Sequence, residues 1–151
     1  SFLAVSEEQI LAFKNNISLN LVQLTAPNVY RINNTFYSPT QLLSYTPSKY
    51  AGFVPSADYK ILSPDTASSL MELSAYSQKL RDLMIKHKVA AVTKDKNDSV
   101  NVIFGGLSDN HWGVVLLDKS NIPRKGDRNA IGLEYDVIKP LSETSFYYQT
   151  N

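Results

Sequence analysis

Near residue 88 the spacing of apolar side chains changes period, and that change constrains the fold more than any other feature of the chain. Before it, Leu70, Leu73, Tyr76, Leu80, Leu83, Met84 and His87 recur at intervals of three and four, which is one face of a helix. Ser63 stands where an N-cap is needed, Pro64 fits the first helical position, and Asp65 faces the positive helix end. The pattern predicts one long helix over about 64–88. After it the period drops to two. VAAV (89–92), SVNVIF (99–104), HWGVVLL (111–117), IGLEYDVI (131–138) and SFYYQ (145–149) read as strands. DKND, LSDN and LSET are short polar links of hairpin type, and residues 118–130 form one longer loop. Helices packed on an antiparallel meander in the C-terminal half make the expected class α+β, in an arrangement compatible with a PAS-like fold.

The first sixty residues are less regular. SEEQ at Ser6–Gln9 has the form of a capping box, and Ile10, Phe13 and Ile17 follow at helical spacing, so 6–17 reads as a short helix. Segments 17–24 and 29–37 alternate around Pro27-Asn28 and read as a hairpin. SPTQ at Ser38–Gln41 repeats the capping logic and predicts a two-turn helix ended by Pro47. From Thr46 to Pro64, prolines interleaved with aromatics read as a long ordered loop. No repeat or composition shift divides the chain, so its 151 residues are read as one domain.

Composition removes several functions. Lys and Arg number 15 against 14 Asp and Glu, which leaves no electrostatic footprint for nucleic acid. The chain has no cysteine, so thiolate metal sites and cysteine nucleophiles are excluded. No run of about 18 apolar residues could span a membrane. Abundant asparagine, serine and tyrosine, with few charges, lean toward an extracytoplasmic or periplasmic setting.

The stretch GGLSDNHWGVVLLD (105–118) holds the single tryptophan and one of two histidines. His111 could serve as a general base oriented by Asp109. His111-Trp112-Gly113 entering an apolar strand resembles the histidine strand of papain-like cell-wall peptidases and of lecithin-retinol acyltransferase-like enzymes. Those families use a cysteine nucleophile, which this chain lacks, so the resemblance implies no such activity here. The structural reading is a hairpin turn feeding a strand apolar on both faces, with Trp112 buried and His111 a contact at the sheet's rim. His87 lies on the apolar stripe of the long helix, where structural roles predominate. Glu134 and Asp136 share one strand face, as solvated residues of a half-buried strand commonly do.

Two segments read as binding surfaces. IPRKGDR (122–128) gathers Arg124, Lys125 and Arg128 around a glycine, a pattern able to hold an anion or an acidic partner. The segment from Tyr30 to Tyr59 is dense in aromatics, among them Tyr45, Tyr50, Phe53 and Tyr59, and tyrosine serves interfaces well. No catalytic constellation, metal cluster or nucleotide loop is apparent, so neither metal nor cofactor is expected. The expected function is a non-enzymatic module, an extracytoplasmic sensor or partner-binding domain for a protein or small molecule. A small inhibitor or immunity-type protein, and a hydrolase or lyase using His111, stay open as alternatives. The last strand reads as a sheet edge, which leaves a dimer open as well.

Overall fold

The computed structural model describes every residue except 27–28, 34, 39–42, 48–54, 62 and 108. It is an α+β chain whose described strand pairings are antiparallel, and its contacts fall into two compact units, Ser1–His87 and Lys88–Asn151.

In the first unit, α1 (Phe2–Val5) and α2 (Glu7–Asn15) precede five strands: β1 (Leu21–Ala26), β2 (Val29–Ile32), β3 (Thr35–Ser38), β4 (Leu43–Pro47) and β5 (Pro55–Ile61). These follow one another in space as in sequence, and then come α3 (Pro64–Tyr76) and α4 (Gln78–His87). The β1–β2 hairpin was legible. The strands around it were not, and antiparallel structure therefore extends well outside the C-terminal half. The two-turn helix expected after Ser38 is replaced over 43–47 by β4, and the expected loop over 46–64 contains β5. Leu43, Ser44 and Tyr45 pair with Ser38, Tyr37 and Phe36, so a ladder partner outweighs a cap that offers only one local bond.

The capping box at Ser6 is also corrected. Ser6 is the junction between α1 and α2: its N–H donates to the Phe2 carbonyl, and its buried Oγ makes no hydrogen bond. A preceding helical turn occupies the place from which the hydroxyl would have capped. Ser63, by contrast, caps as predicted, accepting from the Thr66 N–H at 3.4 Å.

The predicted single helix over 64–88 is two, divided at Ser77. Ser77 Oγ donates back to the Leu73 carbonyl at 2.8 Å, a bond that bends helices. Arg81 reaches back across the break, Nη1 donating to the Ser74 carbonyl at 2.8 Å and to Ser77 Oγ at 2.7 Å. Its guanidinium lies 4.7 Å from the centre of the Tyr30 ring on β2. Leu70, Leu80 and Met84 are buried as the stripe predicts, among Phe2, Phe13, Leu19, Val22, Ile32 and Phe36. Tyr76 turns outward and donates from its hydroxyl to the Ala12 carbonyl at 3.0 Å.

The second unit contains the five strands read from the sequence, though not in the sequential order of a meander: β6 (Ala91–Lys94), β7 (Val100–Leu107), β8 (Asn110–Leu116), β9 (Tyr135–Pro140) and β10 (Ser145–Thr150). Their order is β6-β7-β8-β10-β9. The terminal strand SFYYQ is therefore not an edge. It lies between β8 and β9, because the longer 117–134 connection carries β9 to the outside. Register sets two faces. On one, Val92, Val100, Val102 and Val114 are buried. On the other, Val115, Phe146, Tyr148 and Tyr135 form a cluster, with Leu117, Ile122 and Ile138 against it.

Trp112 departs from expectation. It is 42% exposed, because burial in β8 is confined to Gly113, Val114 and Val115, and Trp112 stands one pleat beyond them. Among the described residues, no helix is long and apolar enough to cross a membrane.

Candidate functional site

The 118–130 segment, read as one longer loop with a binding surface at 122–128, leads into a miniature hairpin built from Asx and glycine turns. Asp127 N–H donates to the Arg124 carbonyl at 3.0 Å, and Asp127 Oδ2 accepts from the Arg124 N–H at 2.8 Å. This turn places Gly126 at φ 92, a left-handed value that favours glycine. The chain then pairs with itself: Gly126 N–H donates to the Tyr135 carbonyl and Tyr135 N–H to the Asp127 carbonyl, both at 2.9 Å, and the backbones of Arg128 and Glu134 form an antiparallel β-bridge. Asn129 closes the tip, its Oδ1 accepting from the N–H groups of Ile131 at 3.1 Å and Leu133 at 2.8 Å. Arg128 Nη1 donates to the Gly132 carbonyl at 2.7 Å, fixing one side of its guanidinium against the tip.

This hairpin is anchored from below. Tyr135, where its return arm enters β9, stands edge-on to Phe146 and Tyr148 at centroid distances of 5.8 and 5.6 Å. Burial, with lesser repulsion from Tyr148 and Asp95, pushes the Tyr135 hydroxyl up to about 12. Burial also raises Tyr148, opposed by a side-chain hydrogen bond from Asn101.

Outward, the hairpin offers mixed chemistry. Ile131 at its tip is 72% exposed. Arg124, Lys125 and Arg128 are exposed beside it, but Asp127, Glu134 and Asp136 stand among them. Lys125 Nζ lies 3.5 Å from Asp136 Oδ1, an exposed pair of little energetic weight. Three cations among three carboxylates make this a mixed patch rather than an anion site.

His111 belongs to the same end of the second unit's sheet. Its N–H donates to Thr150 Oγ1 at 3.0 Å, and Thr150 Oγ1 donates to the Asp109 carbonyl. Thr150 is register partner to Tyr135, and the Asn151 N–H reaches the Glu134 carbonyl at 3.4 Å. The starts of β8 and β9, the end of β10 and the hairpin thus form one rim carrying His111, Arg128 and Ile131. Among the described residues, no hydrogen bond joins the Asp109 carboxylate to the His111 imidazole; Asp109 contributes its backbone instead.

The aromatic segment divides. Tyr50 and Phe53 lie outside the described residues. Tyr45 is register partner to Phe36 on one side and Tyr59 on the other, so these three stand in line across β3, β4 and β5 of the first unit. Arg31 extends the line at Phe36, 5.6 Å over its ring.

Sequence reasoning missed Thr150 and Asn129. Asn129 had a readable signal, since asparagine at the first and glycine at the fourth position mark a turn in NAIG. Thr150 had none, because its partners lie about forty residues away. Among the described residues, no group of three or more His, Cys, Asp or Glu could hold a metal ion. No family model, curated protein or solved structure matches the chain.

Proposed function

We propose that the chain is a non-enzymatic binding module that takes a protein partner at the 124–134 hairpin, with Ile131 as apolar anchor and Arg124 and Arg128 as polar ones. The observation that carries this reading is the exposed isoleucine on a tip held by its own hydrogen bonds. A preformed element loses less conformational entropy on binding than a loop that must be ordered, and arginine is enriched among residues that dominate interface energies. Balanced charge around the tip favours a mixed partner surface over a purely acidic one. An extracytoplasmic setting is proposed on composition alone.

The inhibitor reading draws on the same feature, since a rigid exposed hairpin can enter another protein's cleft. A PAS-like sensor has less support, because the groove lined by residues 95–99 with 117–119 and Asn121 in the second unit presents mostly charged and amide groups. Catalysis through His111 lacks the carboxylate–imidazole contact that would orient a base.

The test is a random-peptide display library panned on the intact chain and on the Arg124→Ala/Arg128→Ala/Ile131→Ala variant. Peptides enriched on the first and lost on the second are expected. Equal enrichment on both would sink the assignment of binding to the hairpin.

A further inference from the structure

Trp112 lies in an inner strand yet keeps 42% of its surface exposed, and its neighbours hold it flat. Across the ladder is Gly105, where a Cβ would come within 2.6 Å of Trp112 Cζ2. The indole therefore lies over bare backbone, and any side chain at 105 would lift it. On the other side its register partner is Gln149, which is exposed. Gln149 Nε2 donates to the Tyr147 hydroxyl at 2.8 Å, which fixes the amide and leaves Oε1 as the acceptor with a set direction. Asn110, exposed and two residues before Trp112, shares its strand parity.

Asn110, Trp112, Tyr147 and Gln149 make a patch with one flat π surface, two amides and a phenol, and no ionisable carboxylate or amine among them. The nearest cationic register position is Lys139, opposite Tyr147 and one strand further out. We propose that this patch is a second binding site, separate from the hairpin, for a pyranose ring of a neutral oligosaccharide. The negative face of an indole attracts the slightly positive axial C–H groups of such a ring. The oriented Gln149 amide and the exposed Asn110 amide donate to and accept from its hydroxyls, and these few polar groups fix orientation where the apolar contact cannot. Among the described residues, Trp112 has uncharged register partners on both sides, Gly105 and Gln149, and Lys139 alone opposite Tyr147 is no basic track for base stacking.

Trp112 is the single tryptophan, so its fluorescence reports the site directly. The probes are the hexasaccharides of β-1,4-linked glucose, N-acetylglucosamine, mannose and xylose, of α-1,4-linked glucose, and a sulfated heparin hexasaccharide. A saturable change in emission with at least one neutral probe is expected, with a Kd on the order of 1 mM for so shallow a site. Gln149→Ala, an exposed substitution checked by an unchanged thermal midpoint, should weaken that binding at least tenfold. Trp112→Ala, followed by calorimetry, should abolish it. No response to any neutral probe, a response to heparin alone, or undiminished binding in Gln149→Ala would each overturn the proposal.

Discussion

Thr150 shows how much one buried hydroxyl can organise. It accepts from the His111 N–H and donates to the Asp109 carbonyl, so the turn before β8 is tied to the chain's last strand. Thr150→Val keeps the shape and removes both bonds, leaving a donor and an acceptor unmet. We expect a loss of about 1–3 kcal/mol, read as a lower urea midpoint with unchanged slope; an unchanged midpoint would remove Thr150 from this role. None of this was visible in the sequence, because both partners lie about forty residues away. His111 stands at the start of β8. Trp112 was misread because apolar residues on both parities of HWGVVLL suggested burial throughout, whereas the neighbouring strand offers only a glycine opposite the ring.

Elements were legible where a local signal agreed with the tertiary contacts. The serine–proline start of α3, the DKND and LSET turns and four of the five C-terminal strands carry such signals and form within a few residues of their expected bounds, whereas the first half of IGLEYDVI forms the hairpin tip and only its second half enters β9. The failures lie where two local signals compete. Residues 43–47 sit behind a plausible cap but have strand partners on both sides. Ser77 falls on the apolar stripe, and only the Leu73 carbonyl and Arg81 reveal it as a break. Arg81, 8% exposed, is the cation of α4 that satisfies the end of α3. Arg81→Ala should cost about 1.5–3 kcal/mol, the scale of hydrogen bonds from a charged donor. Arg81→Lys should recover only part of this, because an ammonium can donate to the two acceptors that Nη1 alone serves but has no planar face to lay over Tyr30. Chemical denaturation of both variants checks this, and full recovery by lysine would contradict a stabilising role for the guanidinium over Tyr30. In the second unit, β9 takes the edge position that β10 was expected to hold, and it carries a register shift, Lys139 and Pro140, each of which discourages pairing with a second chain.

At the scale of the whole molecule, balanced charge makes alkaline pH the informative direction. The native Tyr135 hydroxyl holds its proton to about pH 12, while an unfolded tyrosine releases it near 10.0. Between those values the unfolded chain binds fewer protons, so stability present below pH 10.0 is lost as pH rises toward about 12. Tyr148 acts in the same direction. Absorbance titration should show a late tyrosinate step coinciding with loss of near-ultraviolet ellipticity, and Tyr135→Phe should reduce that step. Ionisation of every tyrosine near pH 10.0 with ellipticity intact would contradict the buried cluster. That cluster matters to function because it seats the hairpin proposed to bind a partner, and such binding requires a hairpin that is formed before any partner arrives. Hydrogen exchange of the free chain reads whether it is. The amides of Gly126, Asp127, Asn129, Leu133 and Tyr135, each hydrogen-bonded within the hairpin, should exchange well below the rate of an unstructured peptide. Exchange of these five amides at the unstructured rate, with β8 and β10 still protected, would show that the hairpin is not preformed.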